Sequence, residues 1–330
     1  MPFRNTSCST AIVLAVTAMS PTLSNAEQSY PITIEHALGT TVIDAKPVRV
    51  ATVTWGNHEV PLALGVVPVG MAFMSWGDDN GDGIHPWVET KLNELGAEVP
   101  TLFNEGDGID FEAVAASNPD VILAAYSGLS QEDYDTLSQI APVVAYPTSR
   151  WTTDWRTTIQ MNSTAMGMAE EGDALIERLE AKISEVAGNY PQLNGQKAML
   201  VSHTDASDLS VVRFYSGNDP RVQFFKELGM ELSNAVAATV GDDTFRGEFS
   251  AEQIDTFDDV TLVVTYAGSE MLDAMQDDPL VSKMPAVANG AFALLNNSPL
   301  GAAANPTALV LEYALDDYVS VLAAAADKAK

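Results

Sequence analysis

The sequence predicts an α/β protein of two similar lobes, each built on a mainly parallel sheet and joined by one long rigid helix. Three observations predict it. Short apolar strands alternate with helical segments in both halves of the chain, a proline-free helical run separates the halves, and a short pattern recurs at an offset of about 140 residues.

In the first half, residues 48–53 read as a strand, 58–64 as a helix stopped by Gly65, and 66–71 as a second strand. Residues 111–116 are helical, 121–125 form an apolar strand, 131–140 a helix and 143–146 another strand. Strands separated by helices imply a parallel sheet covered on both faces. From Thr153 to about Val186 the pattern becomes a long helical run, interrupted only by Gly167 and Gly172 and stopped by Asn189-Tyr190-Pro191. Alternation resumes with a strand at 198–201, a helix at 220–228, a strand at 260–265 and a last helix over about 307–326. The expected division is a leader at 1–26, an N-terminal lobe at 27–152, a connecting helical segment at 153–188 and a C-terminal lobe at 189–330.

The recurring pattern pairs Phe111-Glu112-Ala113-Val114, Asp120-Val121-Ile122-Leu123 and Tyr126-Ser127-Gly128 with Ala251-Glu252-Gln253-Ile254, Asp259-Val260-Thr261-Leu262 and Tyr266-Ala267-Gly268. Both copies place a helical glutamate before a strand that ends in Tyr-x-Gly. Duplicated α/β lobes hold their ligand between the copies, at the carboxyl ends of the strands.

Arg4, the apolar run from Ala11 to Met19 and the small-x-Ala site Ser24-Asn25-Ala26 read as a secretory signal peptide. The only cysteine, Cys8, precedes the apolar run, where it cannot serve as a lipoprotein cysteine; the mature chain then has no thiol, and a periplasmic location follows. No apolar run approaches the roughly 20 residues of a membrane span. The chain carries 45 acidic against 16 basic residues, a formal charge of −29, and a field of that sign repels nucleic acid and anionic lipid. Its bland role is solubility, yet it makes each arginine worth inspecting.

Several segments together resemble the substrate-binding proteins of iron-siderophore and cobalamin ABC importers. They are Val48-Arg49-Val50, Trp55-Gly56-Asn57-His58-Glu59, the run from Leu62 to Gly70, the run from Ser127 to Tyr146, and Asp278-Pro279-Leu280 with Met284-Pro285-Ala286-Val287. Order and spacing carry the resemblance, which covers nearly all of the mature chain; Ser127-Gly128-Leu129-Ser130-Gln131 is most similar to the ferric-siderophore branch. The resemblance implies a monomeric periplasmic carrier that captures a ferric siderophore between its lobes, contains no intrinsic cofactor and delivers its cargo to an ABC permease in the inner membrane. It further implies that one helical glutamate on each lobe, here Glu112 and Glu252, docks onto permease arginines. Haem or a corrinoid is the alternative cargo.

A ferric chelate needs a wide cleft with aromatic walls and a few guanidinium donors, because arginine both donates in a plane and stacks on rings. Arg150 beside Trp151, Arg213 beside Phe214-Tyr215, and Arg246 beside Phe245 fit that need. A surface ion pair is the competing reading for each. Trp55, Tyr126 and Tyr266 at strand ends, Trp76 near the rim, and His58 complete the expected ligand set, with core packing as the competing reading.

His36, His58, His85 and His203 show no metal-binding spacing, which disfavours capture of a bare metal ion. No G-x-S-x-G elbow, H-E-x-x-H, Walker loop or thiol nucleophile is present, so the sequence reads as a carrier and not an enzyme. The stretch 78–89, DDNGDGIHPWVE, spells a calcium loop through Asp78, Asn80, Asp82 and Glu89. Its context is strand, loop, then a helix from about Val88, and Pro86 offers no side-chain oxygen. A solvated turn near the cleft rim is the preferred reading, with Trp76 and Trp87 as the residues of interest beside it.

Overall fold

The computed structural model describes Met1 and residues 29–202, 206–241 and 244–329. Apart from Met1, the expected leader, with Cys8, lies outside these residues, as does His203.

The N-terminal lobe opens with an antiparallel hairpin, β1 (Ile32–His36) and β2 (Gly39–Ile43), whose alternate residues Ile32, Ile34 and Ile43 are buried. Five parallel strands follow: β3 (Val50–Thr52), β4 (Gly70–Ala72), β5 (Thr101–Phe103), β6 (Val121–Leu123) and β7 (Val143–Val144), in the order β5-β4-β3-β6-β7. Helices Glu59–Ala63, Pro86–Leu95, Phe111–Ala116 and Gln131–Leu137 connect them. The strand expected over 66–71 starts only at Gly70, because Pro68 has no N–H for the ladder and Val66 is still bonded back to Pro61. Helix Gln131–Leu137 starts where expected, since Ser130 and Asp133 form a reciprocal capping box.

The C-terminal lobe contains β8 (Lys197–Val201), β9 (Val211–Tyr215), β10 (Glu231–Leu232), β11 (Arg246–Ser250), β12 (Leu262–Thr265) and β13 (Phe292–Leu294). The main order is β11-β9-β8-β12-β13, with β10 on β8; β8, β10, β12 and β13 are parallel, while β9 and β11 run antiparallel at one edge. The sequence repeat corresponds to topology: β6 pairs with β3 and β7 as β12 pairs with β8 and β13. Its aspartates also play alike. The Asp120 carboxylate accepts the backbone N–H of Val48 and Arg49 at the entry to β3, and that of Asp259 accepts Lys197 Nζ at the start of β8.

The 21-residue helix Ala169–Asn189 is the long connecting helix, and the expected helical run is divided, because its first part forms a separate helix, Trp155–Ala165, packed on the first lobe. Gly167, at φ 68°, supplies the left-handed residue that turns the chain between them, whereas Gly172 stays inside the longer helix. The expected last helix is likewise divided, into Ala308–Tyr313 and Leu315–Ala326. The segment before that division returns to the first lobe. Gly77 N–H donates to Asn297 Oδ1 at 2.8 Å, and the buried Glu59 carboxylate accepts the N–H groups of Leu309 and Val310 at 2.8 and 3.3 Å. Glu59 therefore caps a helix that follows the last strand of the second lobe, while also accepting the indole N–H of Trp87 at 2.8 Å. No helix among the described residues is long and apolar enough to cross a membrane.

Candidate functional site

Every parallel strand of the first lobe except β5 delivers an aromatic residue just beyond its carboxyl end: Trp55 after β3, Trp76 after β4, Tyr126 after β6 and Trp151 after β7. All four line one cavity of about 340 Å³. From the second lobe, Tyr215 at the end of β9, Tyr266 after β12, and Phe245 with Arg246 at the start of β11 face the same space. Ala302 and Asn305, in the returning segment, complete the lining. The two tyrosines of the repeat, Tyr126 and Tyr266, thus meet in one cavity from opposite lobes.

The lobes touch around it. Trp76 and Tyr266 make an edge-to-face contact at 5.7 Å, and Asn305 Nδ2 donates to the Tyr126 hydroxyl at 3.2 Å. Burial pushes the Tyr266 phenol up to about 12 and the Tyr126 phenol higher still, so both stay protonated at neutral pH.

Two wall segments are held in backbone conformations that L side chains rarely adopt: Thr54 at φ 63° and Trp151 at φ 62°. Thr54 is fixed by its N–H to both oxygens of Glu105 at 3.0 Å and by its hydroxyl to Tyr126 O at 2.9 Å. Buried Asn57 ties the same region together, donating to Val53 O and Tyr126 O and accepting from Tyr126 N–H and Asn162 Nδ2. Trp151 donates its N–H to Ser127 O, and its ring lies on Gly128 so closely that a Cβ there would sit 2.3 Å from the indole nitrogen.

The principal cation of the cavity is Arg221, which sequence reasoning missed. It lies in the first turn of helix Pro220–Glu227, stacked over Tyr215 at 3.7 Å. Its Nε and Nη2 donate to the two carboxylate oxygens of Asp219 at 2.8 and 2.6 Å, and Nη1 donates to the Tyr266 hydroxyl at 3.3 Å. Asp219 is the N-cap of that helix and fully buried, so this carboxylate offsets a cation that the helix dipole disfavours. Burial alone would lower the Arg221 pKa; Tyr266 and Asp219 more than offset it, and the guanidinium stays charged. The pair is a fork-to-carboxylate contact with no net charge.

The remaining expected residues divide. Arg246 lines the cavity, 5.5 Å from the Tyr215 ring and 5.0 Å from Phe245, because the β9–β11 register places it opposite Tyr215. The same register sets Arg213 opposite Glu248, with Nε 3.5 Å from the carboxylate and the side chain half exposed, so Arg213 stands away from the cavity. Arg150 lines a neighbouring depression and not the aromatic cavity. His58 is also displaced from the expected set: it precedes helix Glu59–Ala63, is buried, and burial pushes it down to about 3, leaving it neutral. Trp87 packs in the core against His85 and Glu59.

In the stretch 78–89 the polar side chains are turned on their own loop. Asp78 accepts the N–H of Asn80, Gly81 and Gly83; Asp82 accepts those of Ile84 and the Asn80 amide; Glu89 is exposed in the following helix. Strand β4 precedes the loop where a calcium hand requires a helix. No cluster of potential metal ligands occurs among the described residues. Glu112 and Glu252 are both exposed, each in the first turn of a helical segment preceding its lobe's equivalent strand.

The sequence profile of the periplasmic binding protein family matches residues 50–299, and the chain belongs to that family. It is 31% identical over 211 residues to the probable siderophore-binding lipoprotein YfiY of Bacillus subtilis, a match covering 62% of this chain and 57% of that protein, so less than two thirds of the relative is spanned. The crystal structure of Streptococcus pneumoniae PiaA in complex with ferrichrome is 42% identical, with a TM-score of 0.86, covering 91% of this chain and 100% of that one. Staphylococcus aureus SirA complexed with staphyloferrin B, at 21% identity and a TM-score of 0.65 over 88% of this chain and 98% of that one, shares the fold.

Proposed function

We propose that this protein captures a ferric siderophore between its two lobes and hands it to an ABC importer, working as a carrier outside the cytoplasmic membrane. The observation that carries this reading is the inter-lobe cavity itself: aromatic walls from both lobes around one charge-compensated guanidinium. Rings bury the apolar skirt of a chelate, while Arg221 supplies planar donors to its metal-bound oxygens. The likeness to a protein crystallised with ferrichrome supports it.

The charge balance narrows the cargo. Asp219 cancels Arg221, which leaves Arg246 as the only uncompensated cation lining the aromatic cavity among the described residues. That balance suits a ferric chelate without net charge, as a trihydroxamate is, better than a strongly anionic ferric catecholate, whose dehydration such a site would not repay. Delivery rests on Glu112 and Glu252, exposed at equivalent places on the lobes, as the contacts to permease arginines.

Three of the five tryptophans, Trp55, Trp76 and Trp151, line the cavity, so binding is measurable directly. A titration with ferrichrome should quench tryptophan fluorescence strongly and saturably, and the iron-free ligand should bind far less tightly. Absence of saturable quenching by hydroxamate, catecholate and carboxylate ferric chelates alike refutes the proposal.

A further inference from the structure

Phe245 separates the aromatic cavity from a second space. Beyond that ring lies a depression of about 390 Å³, lined by Tyr146, Ser149, Arg150 and Thr152 from the first lobe and by Thr244 and Phe245 from the second. Phe245 is a wall of both spaces. So, in effect, is the loop after β7: its left-handed residue Trp151 turns into the aromatic cavity, while Arg150 and Thr152 on either side line the depression.

The charges distinguish this place from the rest of the surface. Arg156, Arg178, Arg213 and Arg221 each stand within ion-pair distance of a carboxylate, and Arg49 donates to the backbone carbonyls of Ser117 and Asn118. Among the described residues, Arg150 and Arg246 are the arginines with neither a carboxylate nor a backbone carbonyl as partner, and they line the two adjoining spaces. In a chain with a formal charge of −29, two such cations in one cleft are unexpected for surface decoration.

We propose that this depression is a second ligand subsite, which takes an anionic substituent of the chelate against Arg150 while the ferric core occupies the aromatic cavity. The inference rests on the siderophore reading of that cavity. A carboxylate on a flexible arm can pass the edge of Phe245, meet the exposed guanidinium, and find hydroxyl donors at Thr148 and Thr244. The protein would then bind both a neutral trihydroxamate and its carboxylated analogue, with Arg150 setting the preference between them.

The test uses two probes with the same iron-binding hexapeptide ring, ferrichrome and a ferrichrome bearing carboxylates on its acyl arms, titrated by tryptophan quenching into the wild type and Arg150→Gln. Arg150 is exposed, so the variant should keep the wild-type melting temperature. The expected result is an unchanged ferrichrome Kd and a loss of about fivefold for the carboxylated probe at low salt, shrinking as salt is raised. An equal ratio of the two Kd values in wild type and variant overturns the subsite, as does failure of the wild type to bind the carboxylated probe while it binds ferrichrome. If the wild type binds neither probe, the reading of the aromatic cavity fails and the subsite falls with it.

Discussion

Asp219→Asn is the substitution that probes the charge balance of the cleft most directly. The side chain keeps its shape and its capping oxygen for the N–H of Arg221, but the negative charge opposite the guanidinium is gone. Arg221 keeps its stacking on Tyr215 and its bond to Tyr266, so it remains in place as a buried, uncompensated cation. Breaking a buried ion pair from one side costs on the order of 3–5 kcal/mol, and Arg221, 15% exposed at the cavity edge, belongs at the lower end of that range. About 3 kcal/mol corresponds to a fall in melting temperature of roughly 6–12 °C. The same cation should attract anionic ligands: a unit charge about 6 Å away at an effective dielectric of about 20 contributes close to 3 kcal/mol, roughly a hundredfold in affinity before dehydration is subtracted. In quenching titrations the variant should shift its preference from a neutral towards an anionic ferric chelate by at least about tenfold, and a bound anion should restore part of the lost thermal stability. An unchanged ratio of affinities would falsify the argument that Asp219 sets the charge of the site. Arg221→Ala in the Asp219→Asn background separates packing from recognition: stability should recover, because no buried charge is left unpaired, while chelate binding should not.

Glu105 supplies a pH dependence. Burial raises its carboxyl to about 7, above the 4.5 of an unfolded chain, and the Thr54 N–H offsets this only in part, so the folded form holds the proton more tightly. Its contribution is full below about pH 4.5 and is lost as pH rises through 7, a change of at most about 3 kcal/mol. Glu105→Gln should flatten the stability profile between pH 5 and 8 in urea titrations, and equal slopes in both proteins count against the assignment. Gly128→Ala should displace the Trp151 ring and weaken chelate binding about tenfold with little change in melting temperature, since the clash falls on a side chain at the cavity edge. Glu59→Ala leaves the Trp87 indole and two N–H groups of helix Ala308–Tyr313 without their acceptor, and should destabilise the protein by about 3–5 kcal/mol in chemical denaturation.

The parts of the fold that were legible in sequence are those whose signal is local. The buried strands β3, β6 and β8 read as apolar runs because both faces are covered, and helix Phe111–Ala116 begins at a capping aspartate. The hairpin of β1 and β2 and the antiparallel pair β9 and β11 escaped notice. Their strands mix buried and exposed positions, and β11 reads Arg-Gly-Glu-Phe-Ser with only Phe249 inside, so nothing in its composition separates it from a loop. The cross-lobe attachment through Glu59 was hidden for a different reason. A glutamate in the first turn of an apolar helix looks solvated, and its helix-end partner Leu309 lies 250 residues away.

The site shows where neighbourhood along the chain stops being neighbourhood in space. Adjacency of arginine and aromatic residues in sequence points to Arg246, which lines the cavity, but equally to Arg213, whose cross-strand partner is Glu248. Arg221 follows Asn218-Asp219-Pro220, a plain helix start, and its stacking partner Tyr215 is six residues earlier, across the turn from β9 into the helix. A usable signal was nonetheless present. An arginine in the first turn of a helix opposes the dipole and needs compensation, and the capping aspartate two residues before it supplies that within a fork-shaped pair. A compensated cation of this kind, in the first turn of a helix that follows a strand facing the inter-lobe cleft, is placed poorly for helix stability and well for donating into the cleft, and that contrast is the sequence signal that singles out Arg221.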